Sequence, residues 1–176
     1  MASELKVAIR LAELSDINEI IKINRLCLPE NYSFDFFYRI LTEFGFACVV
    51  ATVNNSIGGY VLTRIEKPIA SYIGLDTPKG HIVSIAVLPQ YRRLQIAAKM
   101  MKFTTQKLIE KGINEVFLEV RVSNQPAIQL YKKLSYKIKK EIKEYYRDGE
   151  SAYYMKWGGD DSIDDYYDYD DEDTED

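Results

Sequence analysis

HIVSIAVLPQYRRLQIAAK, running from His81 to Lys99, is the stretch on which the reading of this chain turns. Ile82 to Leu88 is an apolar, β-branched run, Pro89 and Gln90 make a turn, Arg92 and Arg93 bunch two cations, and a helical pattern follows. The segment predicts a strand, a cationic turn and a helix N-terminus. The first N–H groups of a helix have no partner within it and carry positive partial charge. Two arginines beside them form a seat for a pyrophosphate, and the expected ligand is a phosphorylated cofactor.

Working outward, 176 residues of which 47% are apolar suit one globular domain with a substantial core. No apolar run approaches the roughly 20 residues of a membrane helix, and Met1 to Arg10 carries no signal-peptide block. The chain therefore reads as cytoplasmic. Cys27 and Cys48 stand alone in apolar surroundings with no C-x-x-C spacing, which predicts two buried thiols rather than a disulfide or a metal pair. Charge is divided unevenly. Eleven of the 27 acidic side chains lie in residues 158–176, which have no basic residue, so the preceding body holds sixteen acidic against 23 basic groups, a formal +7. A segment of Asp, Gly and Tyr cannot bury enough surface to fold by itself, so residues 1–157 are expected as the domain and 158–176 as an acidic disordered tail.

Lys6 to Arg10 predicts a first strand. Ser15 is the expected cap of a helix with Ile17, Ile20, Ile21, Asn24 and Leu28 on one face, ending at Pro29. Ser33 caps a second helix, stopped at Gly45. Ala47 to Val53 and Gly58 to Ile65 predict a hairpin about Asn54-Asn55-Ser56, and Lys67 to Gly80 a surface loop. After the central strand and its helix, which ends near Lys111, come a strand at Val116 to Val120 and a short helix at Gln125 to Leu134. A last hairpin pairs Tyr136 to Ile142 with Ala152 to Trp157. The order β-α-α-β-β-β-α-β-α-β-β is that of an α/β protein.

The arginine turn resembles the coenzyme A signature of the GNAT acetyltransferases, Q/R-x-x-G-x-G/A. Here it reads Arg92-Arg93-Leu94-Gln95-Ile96-Ala97, with a glutamine at the family's middle glycine. LEVRVSNQPAIQLYKKLSY, from Leu118 to Tyr136, is similar to the second half of the same fold, with the family's Asn and Tyr at Asn124 and Tyr131. LPENY at Leu28 to Tyr32 and YYRDGESAY at Tyr145 to Tyr153 resemble the N-terminal acetyltransferase branch, of the Ard1 type and its archaeal single-chain relatives. The resemblance spans about residues 5–157. It implies the GNAT acyl-CoA N-acyltransferase fold, a mixed central sheet with splayed parallel strands flanked by helices.

The resemblance also implies roles. The backbone of Ile85, Ala86 and Val87 would hold the arm of acetyl-CoA and polarise its thioester. Arg92, Arg93, Leu94, Gln95, Ile96, Ala97 and Ala98 would hold its pyrophosphate, with Asn124, Lys132 and Lys133 completing the cofactor seat. His81 and Glu119 would accept the proton of the substrate amine through ordered water, and Tyr131 would protonate the departing thiolate. The same His81 and Glu119 are acceptable ligands for an incidental divalent ion such as zinc, though two protein ligands make a weak site. Leu28, Pro29, Glu30, Tyr32, Tyr145 and Tyr146 would wall the peptide, with Glu30 near the amine and favouring Ser, Ala, Thr or Gly as first residue; Met-Leu starts remain open. Gln95 introduces a Cβ at the pyrophosphate. Because a helix start usually has ordinary helical dihedrals, weakened rather than lost cofactor binding is expected.

The expected activity is transfer of acetyl from acetyl-CoA to protein N-termini, nascent or ribosomal, by direct attack with no acyl-enzyme, since neither cysteine has a nucleophile's setting. A RimI-like modifier of one ribosomal protein, a lysine acetyltransferase, and a non-catalytic GNAT-fold module docking on the ribosome through its basic body remain alternatives. There is no motif for sequence-specific nucleic acid binding.

Overall fold

The computed structural model describes residues 5–67 and 77–159. All but the first two residues of the expected 158–176 tail, and most of the expected 67–80 loop, therefore lie outside the described residues. The order of elements is β1 (Val7–Leu11), α1 (Ile17–Cys27), α2 (Phe34–Phe44), β2 (Val49–Val53), β3 (Ser56–Glu66), β4 (Lys79–Val87), α3 (Ile96–Ile109), β5 (Glu115–Arg121), α4 (Gln125–Lys133), β6 (Lys137–Ile142) and β7 (Ala152–Gly158). The strands form one sheet in the order β1-β2-β3-β4-β5-β7-β6. Every neighbouring pair is antiparallel except β4 and β5.

Each face of the sheet carries its own core. On one, Val49, Val61, Ile82, Val116, Leu118 and Met155 pack with Met100, Leu108 and Ile128 of α3 and α4. On the other, Val50, Tyr60, Leu62 and Ala86 pack with Ile17, Ile20, Phe37 and Leu41 of α1 and α2. The alternation of β2 and β3 thus serves two apolar faces, as a sheet covered by helices on both sides requires. One polar thread crosses the second core: Asn24 Nδ2 donates to the Tyr60 hydroxyl at 3.0 Å, which shares a 2.8 Å hydrogen bond with Ser84. It ties α1 to the two middle strands.

Several local signals act as expected. Ser33 accepts from the backbone N–H of Phe36 at 3.3 Å, Asn54 and Asn55 take the positive φ of a tight hairpin, and Gly112 ends the α3 region at φ 76°. Ser15 does not cap α1. Asp16 does the work at that corner, accepting from the Glu13 backbone N–H at 2.8 Å and pairing bidentately with Arg10 at 2.7 and 2.9 Å. A carboxylate with two guanidinium bonds outcompetes a neutral hydroxyl for the turn, and Ser15 is left with a 3.4 Å bond to Glu13. Ile23 joins Ile17, Ile20 and Asn24 as the buried residues of α1, and Ile21 packs half-buried against the same core. The helix ends at Cys27, and Leu28 turns extended (φ −127°) before Pro29, as a residue preceding proline prefers.

Candidate active site

Two irregularities in the sheet create the site. β4 and β5 pair only at Gly80–Val116 and His81–Phe117, and beyond that the strands part. The edge of β4 that faces β5 is therefore left without a strand partner from Ile82 onward. The second irregularity is a bulge. Leu62 lies opposite Ser84 but Thr63 lies opposite Ile82, so Val83 has no partner on β3 and the alternation of β4 slips by one. Ile85 and Val87 pack on the α3/α4 side, yet so does Ile82, while Val83 joins Ala86 on the α1/α2 side. The slip turns His81 onto the same face as Arg64, its direct partner across the strands.

A cleft of about 410 Å³ opens where the strands part. Its walls include Leu28, Pro29, Glu30, Tyr32, His81, Ile85, Glu119, Asn124, Tyr131, Tyr145 and Tyr146, so the structure brings these expected residues together. His81 Nε2 lies 2.7 Å from Glu119 Oε2, and its Nδ1 lies 3.2 Å from Glu66 Oε1. The imidazole stacks on Phe117 at 4.3 Å between ring centres. The incidental metal site is not supported by this geometry. At 2.7 Å the two expected ligand atoms form a hydrogen bond, closer than two donors each about 2.0–2.1 Å from a tetrahedral zinc would stand. Among the described residues no group of three or more His, Cys, Asp or Glu could hold a metal.

Two loops meet over the cleft through one arginine. Arg121 Nη2 donates to Glu30 Oε1 at 2.5 Å, from the connection between α1 and α2, and Nη1 donates to Asp148 and Glu150 at 2.8 and 2.7 Å, from the β6–β7 connection. Its guanidinium also lies 3.9 Å from the centre of the Tyr146 ring. Tyr32 stacks on Phe36 at 4.2 Å. Burial and the carboxylates nearby raise the hydroxyl pKa values of Tyr32, Tyr145 and Tyr146, and burial does the same for Tyr131, so all four are neutral donors at neutral pH. Asn124 uses its side-chain oxygen to cap α4, accepting from Ala127 N–H at 3.3 Å.

The cationic turn lies outside the cleft walls. Arg92, Arg93, Leu94 and Gln95 are exposed, Ile96 is core, and Ala97 and Ala98 are half-buried on α3. Arg92 Nε donates to Val87 O at 3.1 Å, which fastens the turn to the end of β4. The expectation of ordinary helical dihedrals at Gln95 is overturned: it sits at φ 59° and Arg93 at φ 65°. Both are in the left-handed region, where the Cβ crowds the carbonyl oxygen, and this is the reason the signature favours glycine. Lys132 is exposed, and Lys133 lines a different cleft of about 290 Å³, between α3, α4 and β7.

Residues 17–136 match the acetyltransferase (GNAT) family. The chain belongs to the GNAT acetyltransferase family. It is 50% identical over 150 residues to the N-alpha-acetyltransferase of Sulfurisphaera tokodaii, covering 84% of this chain and 90% of that one. It is also 50% identical over 151 residues to the N-alpha-acetyltransferase of Saccharolobus solfataricus, with the same coverage. Among solved structures, Ard1 from Thermoplasma volcanium superposes with a TM-score of 0.75 at 26% identity, covering 85% of this chain and 95% of that one.

For a GNAT acetyltransferase, the cleft holds residues that sequence reasoning passed over: Cys27, Arg64, Ser84 and Arg121 on its walls, and Glu66 behind His81. The signal for three of them, Arg64, Glu66 and Arg121, was present. Arg64 and Glu66, and Glu119 and Arg121, are charged pairs two apart at the ends of strands, hence on one face of the sheet. Cys27, expected buried, is half-buried with Sγ 3.7 Å from Val87 O, whereas Cys48 is fully buried; both are free thiols.

Proposed function

We propose that this chain transfers the acetyl group of acetyl-CoA to the α-amine of protein N-termini, by direct attack within a ternary complex. The observation that carries the reading is the His81–Glu119 pair at 2.7 Å, set in the wall of a cleft that opens where β4 and β5 part. The relatives at 50% identity named N-alpha-acetyltransferase support it.

The residues fit an extended acyl-pantetheine arm. A buried strand edge without a partner is rare, because an unpaired N–H or C=O costs a hydrogen bond, and the amides of such an arm would satisfy the edge of β4 that β5 leaves unpaired. Acetyl-CoA supplies the activated thioester carbonyl. Ile85, Ala86 and Val87 line the arm's edge with their backbone, and the positive-φ turn from Arg92 to Ala98 offers N–H groups and two guanidinium groups to the pyrophosphate.

Glu119 and His81 take the proton of the entering ammonium, directly or through water, which frees the nitrogen lone pair for attack. The new C–N bond forms as the C–S bond breaks. The Tyr131 hydroxyl, kept neutral by burial, would stand as a hydrogen-bond donor to the leaving sulfur. Leu28, Pro29, Tyr32, Tyr145 and Tyr146 hold the first residues of the peptide. Glu30 is engaged with Arg121, so its role is to recognise the ammonium and to keep the entry small, not to carry the proton.

The experiment is thiol release from acetyl-CoA with four peptides: one starting Ser, one Ala, one Met-Leu, and one with a blocked N-terminus and an internal lysine. Release with free-amine peptides alone upholds the assignment. Release with the blocked peptide turns it to lysine chemistry, and none with any peptide, together with no binding of coenzyme A, removes it.

A further inference from the structure

We infer that the cleft of about 290 Å³ between α3, α4 and β7 is a docking site for this chain's own acidic segment, residues 160–176, with its lysines taking the carboxylates and its apolar walls taking Ile163 and Tyr166. No residue lining this cleft lines the one at His81, so the inference is independent of the transfer chemistry. Met101, Ile109, Leu134 and Trp157 give the cleft its apolar surface, and Lys102 and Lys133 stand exposed on it. Ile109 is 39% exposed, a large aliphatic side chain left open to water. Among the described residues neither Lys102 nor Lys133 has an ion-pair partner. The nearby Glu110 is already held by Lys107 at 2.8 Å.

The acidic segment has the complementary chemistry and the reach. Residues 160–176 contain eleven carboxylates, no cation, and Ile163, Tyr166, Tyr167 and Tyr169 as apolar groups. The segment starts beside the cleft. Trp157 is in the wall, and Gly158 and Gly159 follow at φ 71° and 72°, left-handed residues that turn the chain out of the strand. The Gly159 N–H donates to Asn114 O at 3.2 Å, in the connection that follows α3. An extended chain spans about 3.5 Å per residue, so Ile163 and Tyr166 reach about 14 and 25 Å from Gly159. A tether this short sets an effective concentration in the millimolar range, which populates a contact too weak to hold a free peptide. Its charged part is exposed and weakens with salt.

Trp157 is the only tryptophan in the chain, so acrylamide quenching of its emission in the full-length protein reads how well the cleft is covered. At low salt, quenching should rise about twofold in Lys102→Glu/Lys133→Glu, which reverses the charge at two exposed sites. It should rise equally in Ile163→Ser/Tyr166→Ser, which leaves residues 1–159 unaltered. A carbodiimide joins an ammonium to a carboxylate only where the two meet. Mass spectrometry of the treated full-length chain should find amides from Lys102 or Lys133 to Asp164, Asp165 or Asp168. In a mixture of ¹⁵N-labelled and unlabelled protein, these should form within one chain. Quenching unmoved in both variants, or amides from the segment only to lysines outside the cleft, would overturn the proposal. Amides joining labelled to unlabelled chains would overturn it in favour of a second copy as the occupant.

Discussion

Glu30 and Arg121 stand 91 positions apart in the chain and share a 2.5 Å hydrogen bond at the mouth of the cleft. The same guanidinium holds Asp148 and Glu150, so the two walls assigned to the peptide are fastened at a single side chain. Arg121→Gln keeps most of the volume and removes the charge, leaving three carboxylates together. A charge-assisted hydrogen bond contributes about 1.5–3 kcal/mol. The variant should therefore raise KM for a Ser-starting peptide about tenfold or more, with KM for acetyl-CoA unaltered in steady-state kinetics. An unchanged peptide KM would mean that the clasp does not shape the peptide site.

Acid should open this clasp before it melts the sheet. Hydrogen bonds from Ser123 and then from Arg121 hold the Glu150 carboxyl down to about 2, and Asp148 is lowered as well. A carboxylate with a depressed folded pKa contributes stability that is complete above its ordinary value near 4.5 and is lost as pH falls toward about 2. The amides of Tyr146 and Gly149, bonded to Glu150 O and Tyr146 O, should lose hydrogen-exchange protection across that window while those of β3 keep theirs. Glu150→Gln should show the loosened loop already at neutral pH.

Gln95 occupies the left-handed region at φ 59°, where an L-residue costs about 1–2 kcal/mol. Glycine removes that cost but adds about 0.5–1 kcal/mol of unfolded-chain entropy. Gln95→Gly should therefore stabilise the fold by about 0.5–1 kcal/mol, read as a higher midpoint in urea. It should also tighten acetyl-CoA binding in calorimetry. A drop in stability would show that the glutamine side chain makes a compensating contact in solution.

The two thiols should separate cleanly. Burial pushes the Cys48 thiol up to about 12, whereas Cys27 lines the cleft beside the end of β4. A disulfide reagent should label one thiol per native chain quickly and the second only on unfolding, because the thiolate is the reactive form. Acetyl-CoA should slow the first. Two fast thiols, or no protection by acetyl-CoA, would place the acyl arm elsewhere.

Much of this was legible in the amino-acid order. The β-branched run before Pro89, the arginine turn and the helical spacing after it identify strand, turn and helix, because each depends on residues within a few positions of one another. Ser33 as a cap, Asn54-Asn55 as a turn and Pro29 as a stop are equally local. Ser15 misled because its rival for the turn, Asp16, derives its advantage from Arg10, an ion pair that no capping rule contains.

What only the tertiary structure decided is where the side chains of the site point. Strict alternation along β4 places His81 with Ile85 and Val87, on the face covered by α3. The bulge at Val83 reverses that face, and a bulge is settled by how β3 and β4 fit over two packed cores, not by the identity of Val83. Arg121 likewise reads as the polar end of a strand until chain folding brings Glu30, Asp148 and Glu150 around it. Sequence determined the elements, since their signals are short-range. The triad of Glu66, His81 and Glu119 and the clasp on Arg121 arise from register and from contacts between distant segments, which exist only once the sheet has formed.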